Sequence, residues 1–423
     1  MLTFLGTGFY SYSRGIFLPA LAEELADGSR FAISVGFSMA AATSALLAFW
    51  VGRLVDRGSA KRFLLFGIAA TTLGYVLLSQ ITALWQFYLV IGLCMGVAVT
   101  CMGNLVWHRT IISWFDHWRG RAISLGVLGA SLAGVVMPPL VTELVGTIGW
   151  RQSYLVFGLL IAVVLVPLVW VLLRDRPEEI GEVRDGRAYV AAHADEVVEL
   201  PEETRAWRVG ELLRSPAFWC IGLIFGSMTC VYLAVMLHLF GHLTDLNIAP
   251  ERAAYVLSFM ALFAALGKPL VGWLADAFGA RVTIWLALVV QALGLAAFSV
   301  ADGFTGAMLS GLLYGLGYAG MSPLRTFAIS VSMGSASFGN ANGVLRLVEL
   351  PFVLSASPLA GYIYDSTGSY ALAFQILAGL MLVACLGVFS LRAGGARERR
   401  RRKAQIDARI EQQQRLAQQS QQQ

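Results

Sequence analysis

The chain has 423 residues, 57% hydrophobic and only 13% charged. That is too apolar for a soluble chain of this length, so a water-exposed enzyme or binding module is excluded. The formal charge of +5 is concentrated in segments that flank apolar runs, where it sets orientation and does not point to nucleic acid.

Apolar runs long enough to cross a bilayer as helices lie near 1–21, 32–54, 63–81, 84–107, 121–144, 152–173, 216–240, 254–275, 280–300, 304–326, 340–364 and 370–392. None alternates as a membrane strand does. The expected fold is an all-α membrane protein with twelve transmembrane helices in two pseudo-symmetric six-helix bundles. Residues 1–173 form the first bundle, 174–214 a polar cytoplasmic linker, 215–392 the second bundle and 393–423 a basic, Gln-rich tail. The first run begins at Met1 without a basic stretch before it, so a cleaved signal peptide is not expected and the usual cytoplasmic lead-in is missing. With both termini inside, the inner segments and tail hold 25 of the 31 Lys and Arg, counting Arg325. The outer loops hold Arg30, Arg151 and Arg252. That asymmetry places both termini in the cytoplasm, and the expected membrane is the cell's inner (plasma) membrane.

The first run carries Arg14, with Tyr10 and Tyr12 one turn earlier. Lys268 lies in the eighth run and Arg346 in the eleventh. A cation at bilayer depth costs at least about 2.5–3.5 kcal/mol, so it normally faces protein or a watery cavity. Three of them on three helices point to a positively charged cavity that binds an anion. Snorkelling is the bland alternative for Lys268, two turns from Asp276. Asn104, Tyr232, Tyr314 and Tyr318 are further candidates to line the cavity. His238 and His242, spaced i, i+4 near the outer end of the seventh run, are read as a substrate or proton contact or as ordinary helix-end histidines; no third ligand supports a metal. Arg346 and Glu349 are three residues apart and share a helix face. Glu349, the sole acid clearly inside a span, is the candidate proton carrier, with an intrahelical ion pair as the structural alternative. Cys94, Cys101, Cys220, Cys230 and Cys385 all fall inside runs and offer no disulfide framework.

The two halves repeat. Gly52-x-Leu54-x-Asp56 recurs 220 residues later as Gly272-x-Leu274-x-Asp276. Pro139-Leu140 and Gly149 recur 219 residues later as Pro358-Leu359 and Gly368. Parallel six-helix repeats with a site at their interface describe one large transporter architecture. The segment Gly52-Arg-Leu-Val-Asp56-Arg57-Gly-Ser-Ala-Lys61-Arg62 resembles the loop 2–3 signature of the major facilitator superfamily, with Ser59 where that signature usually has Gly. The resemblance implies that Gly52, Asp56, Arg57, Arg62 and Asp276 act in conformational gating and do not bind substrate. Trp114-Phe115-x3-Arg119-Gly-Arg121-Ala122, followed by Gly126, Gly129, Gly134 and Pro138-Pro139, resembles the monocarboxylate and oxalate/formate transporter branch. So does His238-Leu-Phe-Gly-His242-Leu-Thr-Asp245. Lys268-Pro269 falls where that branch carries a substrate-binding Arg-Pro. Arg14 falls where some members carry a lysine. Ala264 stands where the animal members place an acid used in proton coupling.

The expected function is secondary transport of a small organic anion, a monocarboxylate or short dicarboxylate, with a proton as the candidate coupling ion. The protein is expected to be a monomer in the bilayer, with no cofactor or metal. A carrier for a drug or sugar, and a transporter-like sensor that moves nothing, are the alternatives. An enzyme is not expected: the spans show no Ser/His pair, no HExxH and no paired acids, and the chain has no nucleotide-binding loop.

Overall fold

The computed structural model describes residues 1–115, 119–183, 185, 207–333, 338–389 and 391. The side chains of Asp56, Arg57 and Asn104, the surroundings of Gly52, most of the linker and the tail lie outside the described residues. Among the described residues no strand occurs. This agrees with the all-α reading.

The first half opens with a π-helical turn, Leu2–Gly8, that continues into α1 (Phe9–Leu25). α2 (Arg30–Arg57) and α3 (Ala60–Leu78) each start on a serine, Ser29 and Ser59, whose hydroxyl accepts the N–H of the third residue on. The fourth crossing is a broken rod: α4 (Leu84–Leu89), a π-helical stretch Val90–Met95, α5 (Gly96–Met102) and α6 (Asn104–Trp114). α7 (Arg119–Leu172) is two crossings joined at Gly149. The second half holds a short α8 (Val209–Arg214), then α9 (Pro216–Asp245), α10 (Pro250–Phe278) and α11 (Ala280–Val300). Its tenth crossing is α12 (Gly303–Tyr318) plus α13 (Met321–Met333). Its eleventh is α14 (Phe338–Val348) plus α15 (Leu350–Thr367), and α16 (Ala371–Val388) is the last.

Nine helices among the described residues are long and apolar enough to cross a membrane. One of these, Leu125–Leu172, spans 48 residues and crosses twice around Gly149. With α1 and the α12–α13 rod this gives the twelve crossings of the expected fold.

The repeat is visible in the backbone. Gly149 and Gly368 both have left-handed φ, 79° and 71°, at the same turn of the two halves. They lie at one end of the bundle with Ala26–Ser29 and Leu246–Ala249, here termed the first end. Gly58, Ser215 and Gly279 mark the second end. Among the described residues the halves pack most extensively through α1 with α9, α2 with α15, and the first leg of α7 with α10. Two pairs touch backbone to backbone. A Cβ on Gly15 would lie 2.7 Å from the Met236 carbonyl oxygen, and one on Gly361 would lie 2.8 Å from Phe31 Cα. Glycine permits such approach where any side chain blocks it.

Gly149 combines φ 79° with ψ 165°, a region open essentially to glycine alone, and a Cβ there meets nothing within 4 Å. Its substitution therefore strains the backbone without a clash. Gly149→Ala is expected to destabilise the purified protein by about 1–3 kcal/mol, read as a lower unfolding temperature. Gly146→Ala, also open but without a left-handed φ, is expected to lower it not at all.

Candidate functional site

The intramembrane cations separate into those that have found a carboxylate and those that have not. Arg14 lies on α1, is 7% exposed, and its Nε has no hydrogen-bond partner among the described residues. Gly15, the next residue, presses on the α9 backbone, which places Arg14 at the seam between halves. Its field acts on Tyr10 one turn below and on His238 across the seam. Tyr12 marks the place where three helices meet. A Cβ on Gly134 of α7 would lie 2.7 Å from both Tyr12 Cζ and Ala261 Cβ of α10. Below that level, Lys268 Nζ donates to Ser131 Oγ at 2.8 Å, a bond from the second half to the first. Seven residues separate Lys268 from Ala261, about 10 Å along the helix, and Arg14 lies about 3 Å beyond Tyr12 in the opposite direction. The two cations thus flank the Tyr12 level from the two halves, at different depths. Among the described residues neither is ion-paired.

Aromatic rings crowd the same level. The rings of Tyr232 on α9 and Tyr318 on α12 stack at 5.0 Å, and Tyr314 lies 6.3 Å from Tyr318. Tyr12 is within electrostatic range of all three. Tyr10 stands 6.5 Å from the ring of Phe37 on α2. Arg346 is exposed, and its field reaches His108 on α6 of the first half.

Glu349 does not take Arg346 as its partner. Pro351 lacks the N–H that would continue the ladder, so the helix is interrupted at Glu349. The carboxylate turns to α13, where Arg325 Nη1 donates to Glu349 Oε2 at 2.9 Å. Arg325, read from the sequence as an inner-face residue, belongs inside the bundle: α13 runs on to Met333, and its side chain is 17% exposed.

The first end is closed by a polar knot that the sequence did not single out. Arg30 Nη1 and Nη2 donate to Asp245 Oδ2 and Oδ1 at 2.8 and 2.9 Å, a bidentate pair from α2 to α9. The guanidinium lies 3.9 Å over the Tyr364 ring and donates to Tyr370 Oη at 3.1 Å. Asp365 caps α2 from the other half. Its oxygens accept the N–H of Arg30 and Phe31 at 2.9 and 3.1 Å and the Ser29 hydroxyl at 2.7 Å. α2 has no acid of its own in its first turn, so this carboxylate supplies what the helix dipole favours. The missing acid, together with the His238-to-Asp245 stretch, was the sequence signal for the knot.

His238 belongs to this knot. It is fully buried, with Nε2 2.9 Å from the Ser357 carbonyl oxygen and Nδ1 2.9 Å from Tyr370 Oη. A carbonyl only accepts, so Nε2 carries the proton and Nδ1 accepts the tyrosine hydroxyl. In this conformation the histidine braces the closed end, with no ring nitrogen left for a ligand. His242 likewise donates from Nε2 to the Phe298 carbonyl oxygen at 3.0 Å.

Of the gating residues inferred from the resemblance, Arg62 and Asp276 are exposed at the second end. Asp276 borders a cleft of about 170 Å³ between α10 and α13. A Cβ on Gly272 would meet nothing within 4 Å.

A sequence profile of the Major Facilitator Superfamily matches residues 3–349, with a second match over 233–419. The chain belongs to the Major Facilitator Superfamily. Over 322 residues it is 29% identical to monocarboxylate transporter 13 of Bos taurus, covering 75% of this chain and 70% of that protein. It is 24% identical over 381 residues to the MFS-type transporter YcxA of Bacillus subtilis, covering 87% of each. Monocarboxylate transporter 2 of Homo sapiens is 25% identical over 344 residues, covering 78% and 71%. Among solved structures, a bacterial homolog of the human lysosomal transporter Spinster superposes with a TM-score of 0.69 at 14% identity, over 92% of this chain and 94% of that one. That likeness is one of fold. Membership in the Major Facilitator Superfamily makes the chain a multi-pass membrane transporter for a small solute and not an enzyme.

In this transporter the knot predicts a gate. Asp245 keeps 31% of its side chain exposed, so removing one partner of this part-buried pair loses charge-assisted hydrogen bonding worth about 1.5–3 kcal/mol, enough to shift an open/closed ratio by on the order of ten- to a hundredfold. Ser34 Oγ lies 3.3 Å from His238 Nε2, and Ser38, one turn below Ser34 on the same buried face of α2, reports the opening. In a cysteine-free background, Ser38→Cys is expected to resist a membrane-impermeant maleimide. It is expected to react much faster when Arg30→Gln or Asp245→Asn is added. Gly361→Ala, which removes no charge but wedges α15 from α2, is expected to do the same.

Proposed function

We propose that this transporter carries a small organic anion, a monocarboxylate or short dicarboxylate, by rocking its two six-helix halves around the level of Tyr12. Arg14 and Lys268 hold the anion from the two halves, with Arg346, Tyr10 and Tyr12 around them. The observation that carries the reading is Arg14, a buried guanidinium at the seam with no carboxylate partner among the described residues. A buried charge without a partner is costly, and an anion that binds between the halves relieves that cost. The relatives named monocarboxylate transporters support the same substrate class.

The bias of basic residues puts both termini in the cytoplasm and the first end, with its knot, outside. In this conformation the outer gate is shut. Asp56, Arg57, Arg62 and Asp276 at the second end are then the inner gate, which engages when the carrier turns over. The membrane is the plasma membrane, and one chain suffices.

Counterflow in proteoliposomes tests the reading. Vesicles loaded with unlabelled lactate, pyruvate, oxalate or succinate are expected to take up the labelled form of at least one of them. Arg14→Gln and Lys268→Gln are each expected to weaken its apparent affinity at least tenfold. Uptake of a sugar or a cationic drug instead, or saturable binding with no flux, would reject the proposal in favour of another carrier or of a sensor.

A further inference from the structure

The pair Arg325–Glu349 leaves a buried polar atom on each partner unmet among the described residues. A guanidinium and a carboxylate that meet to hold a fold usually engage as a fork, two donors on two oxygens, as Arg30 and Asp245 do. Arg325 and Glu349 make one contact, at 2.9 Å. Arg325 Nη2 and Glu349 Oε1 are both buried and both without a partner among the described residues. Arg325 Nε is held separately by Asn342 Oδ1 at 3.2 Å. The guanidinium is thus anchored at one edge, while the carboxylate keeps a free oxygen in apolar surroundings.

The charges that reach Glu349 are few. Arg325 acts from α13 and Arg346 from the turn before it on its own rod. α9 packs on this rod through Gly222 against Val348 and Gly226 against Phe352, and neither glycine carries charge. α12 and α13 meet around Gly320, five residues before Arg325, and α14 and α15 meet at Glu349 itself. Both partners therefore sit beside interruptions in their helices, where a rod bends at low cost.

We propose that Glu349 takes up and releases the coupling proton on Oε1, that Arg325 is the cation it exchanges for that proton, and that Arg346 stays free throughout to hold the anion. The inference rests on the anion-carrier reading above and assigns its coupling. Ionised Glu349 leaves this cluster, with Arg325 and Arg346, at a net charge of +1. Protonated Glu349 leaves it at +2 and frees Arg325 to turn toward the cavity. A proton therefore favours an anion, and by reciprocity an anion favours the proton to the same extent. The two move in the same direction, and a monocarboxylate with one proton crosses without net charge.

The direct test is infrared absorption of the protonated carboxyl in the purified protein, titrated with pH. Wild type is expected to show a buried carboxyl band that grows as pH falls and is absent in Glu349→Gln. Loss of a neighbouring cation favours the neutral acid, so Arg325→Gln is expected to move half-protonation up by about one to three pH units. Arg325→Lys is expected to restore most of the wild-type position. Arg346→Gln is expected to shift it less than half as far. A band that survives in Glu349→Gln, or a larger shift in Arg346→Gln than in Arg325→Gln, would overturn the assignment. The double variant Arg325→Gln/Glu349→Gln removes both charges of the pair together and keeps the cluster at the +1 of the ionised wild type, so neither partner is left buried alone. With the carboxylate that passes the counterflow screen, it is expected to keep exchange and lose accumulation driven by an inward proton gradient. Gradient-driven accumulation in that variant would equally overturn the assignment. Failure of every carboxylate in counterflow would reject the anion-carrier reading, while the infrared result would still decide the Glu349–Arg325 pairing.

Discussion

A charge taken out of water must be met, and how each one is met organises this molecule. Arg30 is met in full: two carboxylate oxygens, a hydroxyl and an aromatic face close on it. Arg325 is met by one oxygen of Glu349. Lys268 is met by a neutral hydroxyl. Arg14 has an Nε met by nothing among the described residues. The sequence presents Arg14 and Lys268 as similar interruptions of apolar runs, and Arg30 and Arg325 as ordinary charges at the ends of runs. Their surroundings rank them from latch, through switch, to binding site. The fully satisfied cation stabilises one conformation, and the unsatisfied one has a use for an anion.

The rest of the fold serves contacts that form and break as units. α1 on α9 and α2 on α15 approach so closely that backbone atoms touch at Gly15 and Gly361. Faces packed this closely favour mating or parting over a partial separation. The knot around Arg30 crowns the α2–α15 face. Its members come from four separate crossings: Ser29 and Arg30 from α2, Asp245 and His238 from α9, Asp365 from α15 and Tyr370 at the start of α16. Opening the first end therefore breaks a whole network at once, which favours two discrete states over a continuum. The tyrosines below carry no charge and supply flat walls that can stay in place while the ends exchange roles.

Much of this was legible in the sequence, and the limits have physical causes. Run length and hydropathy reflect the thickness of a bilayer, so the crossings and the polar linker stand out. The offset between the repeats is carried by glycines that need a left-handed φ, so Gly149 and Gly368 could be matched before any coordinates. Arg14, Lys268 and Arg346 were visible because a cation in an apolar run is conspicuous. Arg30, Asp245 and Asp365 were not, because charges at the ends of runs are ordinary and their pairing is between distant segments. Arg325 escaped for a related reason. The apolar run ends near residue 326 by composition, whereas Leu324, Ala328, Ile329 and Met333 keep a buried helical face going for two more turns. The partner of Glu349 followed spacing along one helix in the sequence. The interruption created by Pro351 turned the side chain to another helix instead.

The central claim is that the seam between the halves holds a cationic site left unsatisfied until an anion arrives. Thermal unfolding of the purified carrier tests this most directly, because a ligand that binds only the folded state raises the midpoint with its concentration. Small carboxylates are expected to raise it saturably in wild type, uncharged isosteres such as the corresponding amides are expected to leave it unmoved, and Arg14→Gln is expected to abolish the response. Stabilisation of wild type by the amides as well as the acids, or an undiminished response in Arg14→Gln, would contradict the account.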